Sequence, residues 1–421
     1  MQQARIQPAN TRPPWSPPRC PPPTRASVFG RLSLTLSALS ISTAMACGSG
    51  TTSVVDEDAR FRAEGDSFSV PKDSGGSAGS EGSTASGDSD RGGTSAADAD
   101  PGSAVSSAYG DEGGTSPGGG SPQIPIEPGT LTAGVWDDNL NFSFFSAYRD
   151  ALTEAQGLPS YTAAEQQEAH RLAGQRTAKT QLDVAFVIDT TGSMSDEIAY
   201  LQAEFVGLAE TVEAAYPNMT TRWALVAYRD EGDEYVLRGV DFGTSAAWFS
   251  EQLQALSAGG GGDYPEAPDQ ALQYASDLSW DDANDGASAH LAFWVADAPH
   301  HEQNAQAMAN AVHALKNRNV HIYPVASSGV DEVTEYSMRA AAQLTLGRYI
   351  FLTDDSGVGG EHKEPSIPCY FVTLLNKAMV RVIASELEGQ IAEIAPADII
   401  RTGGTPTQGV CEVSSQVFNV F

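Results

Sequence analysis

Five apolar runs of strand length recur beyond residue 181, and stretches with helical periodicity separate them. The predicted strands are residues 182–188, 221–229, 289–296, 320–326 and 348–352. The predicted helices are residues 195–215, 245–257, 266–278, 302–318, 331–343 and 370–388. Strands that are apolar on both faces and alternate with helices indicate a parallel sheet that is covered on both sides. The pattern therefore predicts an α/β fold with a doubly wound, mostly parallel sheet and helices on both faces.

Two segments depart from this alternation. "YVLRGVDF" (235–242) follows the polar turn "EGDE" and is typical of an antiparallel edge strand. Residues 123–180 place aromatic side chains among turn residues, and "AAEQQEAHRLAGQR" (163–176) then has helical periodicity. We expect 123–180 to be an accessory strand-and-turn segment. The principal domain is then 181–388, with a C-terminal tail at 389–421.

The first 122 residues have a different composition. Residues 48–122 are rich in Gly, Ser, Ala and Asp and nearly lack large apolar side chains, which predicts a disordered, flexible linker. Before them, residues 1–47 contain five Arg residues and no acid, and end in the apolar run "VFGRLSLTLSALSISTAMAC". That run fits the hydrophobic part of an export signal with a small-residue cleavage site.

Cys47 directly follows the predicted cleavage site "AMA". The arrangement resembles the lipobox of bacterial lipoproteins, although Ala44 stands where that motif usually has Leu. The resemblance implies that Cys47 is lipidated and anchors the protein to a membrane. We therefore expect an exported lipoprotein of the bacterial cell envelope, at the outer membrane or cell surface. The alternative is a plain secretory signal.

Charge and cysteine content narrow the possible partners. The chain has 24 basic and 54 acidic residues and a formal charge of −30. Without the five Arg residues of the leader, 19 basic residues face 54 acidic ones, a charge of −35. This balance argues against binding to nucleic acid and favours divalent cations as ligands. Beyond Cys20 and Cys47, the chain contains Cys369 and Cys411, which an oxidising compartment would join in a disulfide; two unlinked thiols are the alternative.

Oxygen-bearing side chains follow the first predicted strand. "DTTGSMSDE" (189–197) offers Asp189, Thr191 and Ser193 at alternate positions. Because Mg²⁺ binds hard oxygen donors, this spacing suits a divalent cation. As an alternative, the same residues could cap the helix that follows.

Two further acidic loops should reach the same place. "AGGGGDYPEAPDQAL" (258–272) contains Asp263 and Glu266, and "FWVADAPHH" (293–301) places Asp297 at the end of another strand. Ligands of doubly wound sheets bind outside the carboxyl ends of the strands. We therefore expect carboxylates and hydroxyls from three loops to meet at one edge of the sheet.

The three motifs together, in this order, resemble the von Willebrand factor A (VWA) domain over residues 181–388. They are closest to hemicentin-like members and to bacterial proteins of similar pattern. The resemblance implies a metal-ion-dependent adhesion site with Asp189, Thr191, Ser193 and Asp297 as ligands. Where many members have Gly-Gly-Thr, this chain has Gly-Gly-Asp, so Asp263 takes that role, with Glu266 in reserve.

The resemblance also implies a function. A bound Mg²⁺, with Mn²⁺ or Ca²⁺ as alternatives, would accept a carboxylate from an unidentified protein partner. We therefore expect a binding or adhesion protein and not an enzyme, with no nucleotide, because the glycine run lacks the Lys-Ser/Thr of a phosphate loop.

Three other functions stay open. One is a metal-dependent hydrolase that uses His300 beside His301, although no H-E-x-x-H spacing is present. Another is a VWA subunit of an ATP-driven assembly. The third is a structural surface protein that binds no metal.

Overall fold

The computed structural model describes residues 126–153, 157–262, 264–282 and 286–421. The predicted leader with Cys47, the predicted linker 48–122 and Asp263 lie outside these ranges. The strands are β1 (Thr132–Trp136), β2 (Gln181–Asp189), β3 (Thr220–Tyr228), β4 (Leu237–Gly243), β5 (Ser288–Ala296), β6 (Val320–Ala326), β7 (Tyr349–Leu352), β8 (Tyr370–Leu374), β9 (Arg401–Gly403), β10 (Val410–Val413) and β11 (Gln416–Asn419). The helices are α1 (Phe142–Ala151), α2 (Ala163–Ala173), α3 (Ser195–Ala215), α4 (Ala246–Gln254), α5 (Pro268–Ser276), α6 (Ala305–Asn317), α7 (Glu332–Leu344) and α8 (Leu375–Glu388).

The strands β1 to β9 form one sheet in the order β4-β3-β2-β5-β6-β7-β1-β8-β9. The five central strands β3, β2, β5, β6 and β7 are mutually parallel. β4 pairs antiparallel with β3 at one edge, as predicted for residues 235–242. The predicted doubly wound, mostly parallel α/β fold is confirmed.

Side chains that alternate along the strands build two cores, one on each face of the sheet. Phe186 packs on one face with residues of α3, α4 and α8. Its neighbour Val187 packs on the other with residues of α5, α6 and α7. Because both faces are covered by helices, the central strands are apolar throughout, which is the pattern seen in the sequence.

One predicted helix begins too early. Residues 370–388 were expected to be helical throughout, but Tyr370–Leu374 form β8 and only Leu375–Glu388 form α8. The prediction was wrong there because the strand passes directly into the helix, with no Gly, Pro or other turn residue to mark the change.

The segment before residue 181 is part of the sheet. β1 lies between β7 and β8 and pairs antiparallel with both. Residues 142–151, which we expected to belong to a strand-and-turn segment, form the helix α1. The sheet therefore extends beyond 181–388, through β1 on one side of the sequence and β9 on the other.

The C-terminal tail is fastened to the domain. The hairpin β10–β11 turns the fully buried Cys411 and the buried Phe418 towards the core beside β8. Cys411 is joined by a disulfide to Cys369, which precedes β8 by one residue. No helix in the described part of the chain has the length and apolar character needed to span a membrane.

Candidate metal site

An open depression of about 1200 Å³ lies at the carboxyl edge of the parallel strands. Thr191 and Ser193 line it from the loop after β2, and Asp297 lines it from the loop after β5. Gly260, Gly261 and Glu266 line it from the loop that leads into α5. The three loops singled out in the sequence thus reach one place.

The first loop is held in a tight turn by Asp189. Its Oδ1 accepts hydrogen bonds from the backbone N–H of Thr191 at 2.9 Å and from the Thr191 hydroxyl at 2.7 Å. The Thr191 and Ser193 hydroxyls lie 3.3 Å apart. Neither hydroxyl caps α3, whose N-cap is Met194 and has no side-chain cap bond. The helix-cap alternative therefore does not account for these residues.

Backbone hydrogen bonds join the first loop to the glycine loop. Gly192 N donates to the carbonyl of Gly260 at 3.3 Å, and Gly259 N donates to that of Thr190 at 3.0 Å. At Gly260 φ is +81°, and a Cβ there would lie 2.4 Å from an Asp233 oxygen. The positive φ at Gly260 favours glycine, and the two backbone hydrogen bonds hold the loop against the first loop.

Three carboxylates at this edge each have a buried oxygen without a hydrogen-bond partner among the described residues. The atoms are Asp189 Oδ2, Glu266 Oε2 and Asp297 Oδ1. The side chains are almost completely enclosed, with 0%, 3% and 5% exposure respectively. Buried polar atoms normally have partners, because an unpaired one costs free energy. Oxygen atoms left in this way fit a divalent cation.

The pKa values of the three carboxyl groups also favour a bound cation. Burial and the neighbouring Asp297 raise the pKa of Asp189 to about 7. Burial raises the pKa of Asp297 to about 6, against the lowering effect of a hydrogen bond from Ser193. Burial and the charges of Asp189, Asp230, Asp233 and Asp297 raise the pKa of Glu266 to about 9. A bound cation would relieve this repulsion.

The second-loop residue chosen from sequence cannot be placed. Asp263 lies outside the described residues, whereas Glu266, the reserve choice, lines the depression. By themselves, no three His, Cys, Asp or Glu side chains within the described ranges form a metal-binding group. The candidate site therefore depends on the hydroxyls of Thr191 and Ser193 in addition to its carboxylates.

Residues around the site hold its loops. Arg229 is buried, and its guanidinium donates to the carbonyl of Thr190 at 3.0 Å and to that of Ser257 at 2.9 Å. Asp230 Oδ1 lies 2.8 Å from Nε2 of His301. The imidazole of His300 is buried, and burial lowers its pKa to about 4, so it is neutral at pH 7.

The role of Glu197 has no signal in the sequence. This buried acid in the first turn of α3 accepts hydrogen bonds from the backbone N–H and the hydroxyl of Ser328, in the loop after β6. The two residues are 131 positions apart. The order of the strands in the sheet brings the two residues together, and no local sequence pattern predicts this contact.

Residues 183–358 match the family model of the von Willebrand factor A domain. This part of the chain is therefore a VWA domain, as the three motifs predicted. A putative ariadne-like RING finger protein of Acanthamoeba polyphaga mimivirus is 24% identical over 195 residues. The match covers 41% of this chain and only 18% of that relative's length.

Two solved structures are also similar. The conserved hypothetical protein BatB from Bacteroides thetaiotaomicron has a TM-score of 0.33 and 10% identity, over 49% of this chain and 98% of that chain. The pilus adhesin SpaC from Lactobacillus rhamnosus GG has a TM-score of 0.33 and 10% identity, over 43% of this chain and 29% of that chain.

Proposed function

We propose that this chain is an exported, lipid-anchored VWA protein that binds a divalent cation and uses it for protein–protein binding or adhesion. The observation that supports this most is the set of three buried, unpartnered carboxylate oxygens beside two hydroxyls. Asp189, Thr191, Ser193 and Asp297 would hold the ion, as would one acid of the second loop. Mg²⁺ fits this oxygen-rich set, and Mn²⁺ or Ca²⁺ would use the same donors.

The side chains have distinct tasks in this proposal. Asp189 orients the Thr191 hydroxyl by accepting its hydrogen bond, so the lone pairs of that oxygen stay available. Asp297, directly after the end of β5, lines the depression and accepts a hydrogen bond from Ser193. The bound ion would supply an open coordination position for a carboxylate of the partner. The depression is open to solvent, which suits a protein ligand.

Export and anchoring rest on the sequence of the first 122 residues. Cys47 follows an export-type run, and the Gly/Ser-rich stretch 48–122 would let an anchored domain reach its partner. We propose a bacterial envelope location on this basis.

The test is removal of the central acid. We expect Asp189→Ala to abolish divalent-ion binding while the protein still folds, because the residue lies at the end of its strand. Without metal, the loss of the two hydrogen bonds from Thr191 and the relief of repulsion between the acids act in opposite directions, so the stability of the variant should stay within about 1–3 kcal/mol of wild type. Wild type should gain about 2.7 kcal/mol when the ion is present at 100 times its Kd, and the variant nothing.

Calorimetric titration and melting curves with and without Mg²⁺ measure both effects. Asp196→Asn is the matched control, an exposed acid at the start of α3, and should respond to Mg²⁺ as wild type does. If wild type shows no shift at millimolar Mg²⁺, Mn²⁺ or Ca²⁺, the metal-binding proposal is wrong.

A further inference from the structure

We propose that a cavity between α2 and the loop after α8 binds a carboxylate with a short apolar body, and that Arg348 recognises its charge. The cavity lies at the opposite edge of the sheet from the candidate metal site, because β7 begins there and the antiparallel β1 ends there. Its volume is about 500 Å³, which is the size of a small-molecule site. The inference goes beyond the proposed function and does not depend on it.

The first argument is the guanidinium group of Arg348, the residue directly before β7. Its side chain is 1% exposed and lines the cavity. Nε donates to Asp137 Oδ2 at 2.7 Å, but Nη1 is buried and has no hydrogen-bond partner among the described residues. A buried donor without an acceptor costs free energy. An oxygen anion in the cavity would supply the missing acceptor.

The second argument is an excess of positive charge beside the cavity. Arg381 of α8 is 9% exposed, and in the described part of the chain no carboxylate forms an ion pair with it. The guanidinium groups of Arg348 and Arg381 lie over the ring of Phe421, at 4.3 Å and 4.0 Å from its centroid. Burial and the charge of Arg348 lower the pKa of Arg381 to about 10. Two buried cations thus share the single carboxylate of Asp137, and a bound anion would balance the second cation.

Two further arginines that line the cavity already have partners. Arg176 pairs with Glu386, and Arg171 pairs with Glu168 at 2.6 Å. Their charges are therefore compensated within the chain. Recognition of the anion is assigned to Arg348, because its guanidinium keeps a buried donor free.

The third argument is the apolar character of the exposed part of the cavity. Leu140 and Ile391 line it and are 39% and 41% exposed. Large aliphatic side chains gain free energy when a ligand removes them from water. Beside a buried guanidinium, they fit a carboxylate that carries an aliphatic group better than they fit a fully polar anion such as phosphate.

The experiment is calorimetric titration of the full chain with hexanoate at pH 7, in buffer freed of divalent ions so that the carboxylate cannot bind a metal ion. Hexanamide has a similar shape and no charge, and it should bind about tenfold more weakly or worse, because the charge-assisted hydrogen bond is lost. Acetate should also bind more weakly, by roughly fourfold for each methylene group removed. Asp189→Ala should bind hexanoate as wild type does, which separates this cavity from the candidate metal site.

A matched pair of variants locates the binding. Ile391→Asp places a negative charge at the cavity and should weaken hexanoate binding by about tenfold or more. Ile400→Asp makes the same change in net charge at a residue that is 51% exposed and does not line the cavity, so it should bind as wild type does.

Arg348→Lys tests the recognition of the charge. It keeps the positive charge but lacks the planar fork of donors, and it should also weaken hexanoate binding. Melting curves show whether each variant is folded. If Arg348→Lys does not fold, the comparison of Ile391→Asp with Ile400→Asp still decides the inference.

The same chemistry occurs in a free aliphatic acid and at the C-terminus of a polypeptide that ends in an apolar residue. An acetylated tetrapeptide ending in leucine, with a free or an amidated C-terminus, distinguishes these sources. Tighter binding of the free-acid peptide than of hexanoate indicates a polypeptide C-terminus, and weaker binding indicates a small acid.

Three results would overturn the inference. One is the absence of hexanoate binding at millimolar concentration. Another is equal binding of hexanoate and hexanamide, which would remove the role of the charge. The third is equal hexanoate binding by wild type and Ile391→Asp, which would place the ligand elsewhere. None of these results bears on the proposed metal binding.

Discussion

Glu386, at the end of α8, shows how a buried charge is stabilised away from the metal site. Its carboxylate accepts hydrogen bonds from Arg176 and Tyr323, and His321 Nδ1 lies 3.0 Å from its other oxygen. Burial alone would raise the pKa of Glu386, but the charges of His321 and Arg176 and these hydrogen bonds outweigh it. They hold the pKa well below its ordinary value.

A lowered pKa in the folded protein predicts a pH dependence with a definite sign. The stabilisation is complete above the ordinary value of 4.5 and is lost as the pH falls below it towards the folded-state pKa. Glu386→Gln should therefore cost roughly 3–5 kcal/mol near pH 7, because it leaves Arg176 buried without its partner. Below the ordinary pKa the difference from wild type should shrink.

Urea unfolding at several pH values between neutral and acid measures this difference. Glu388→Gln is the control, because Glu388 is exposed and accepts hydrogen bonds only from the neutral side chains of Tyr216, at 2.9 Å, and Gln390, at 3.5 Å, among the described residues. A cost for Glu386→Gln that is the same at every pH would contradict the explanation.

At the residue scale, the sequence predicts site residues well where the chemistry is local. Asp189, Thr191 and Ser193 follow one strand, and Asp297 follows another, so their shared edge is a consequence of parallel strands. Their role as ligands stays a prediction. The choice between Asp263 and Glu266 was not possible from spacing, because it depends on how a glycine-rich loop bends.

At the scale of elements, the packing of β1 against β7 depends on the absence of a side chain at Gly134. Gly134 lies opposite Phe351 of β7 and Val372 of β8. A Cβ on Gly134 would lie 2.2 Å from the Phe351 ring. That ring is fully buried and packs against Tyr349 and Tyr370, so it has little room to move.

We therefore expect Gly134→Ala to destabilise the domain by about 1–3 kcal/mol, the cost of overpacking a core. Gly207→Ala in α3 is the matched control, because a Cβ there meets nothing within 4 Å. Replacing a helical glycine should stabilise by about 0.5–1 kcal/mol. Urea unfolding of both variants measures the contrast, and equal effects would disprove the packing argument.

The elements that the sequence predicted are those with a long, uniform pattern. β6 begins and ends at the predicted residues, and α3 matches its predicted range at both ends. For 123–180 a short strand was expected but not its place in the main sheet, and α1 was missed, because Gly134 and clustered aromatic residues conceal the periodicity of β1 and α1. Their structure depends on packing against β7, β8 and α7, which are more than 180 residues away in sequence.

At the scale of the whole molecule, the proposed anchor can be tested separately from the metal. If Cys47 is lipidated, Cys47→Ala should move the protein from the membrane fraction to the soluble fraction or block its maturation. Fractionation of cells that express either form measures this. Cys20→Ala lies within the predicted leader and should leave membrane association unchanged. Membrane association of Cys47→Ala equal to wild type would refute lipidation.

The place where the chain enters the sheet has a mechanical consequence. Because β1 is antiparallel to β7, its second residue, Ala133, lies opposite Leu352, the last residue of β7, at the same edge of the sheet as the candidate metal site. Four strand spacings separate β1 from β2, a distance of about 19 Å. Tension between a partner at the site and the chain before Thr132 would thus act across the strands and not along them.

Such a pull loads the hydrogen bonds of β1 one after another, from its first residue. Glu204 in α3 holds the entry, because its Oε1 accepts from Gly129 N at 2.6 Å and from Thr130 N at 2.9 Å. These two hydrogen bonds to Glu204 must break before β1 can separate from β7 and β8. The strand between β7 and β8 would then yield first under force, while the strands that carry the site stay paired.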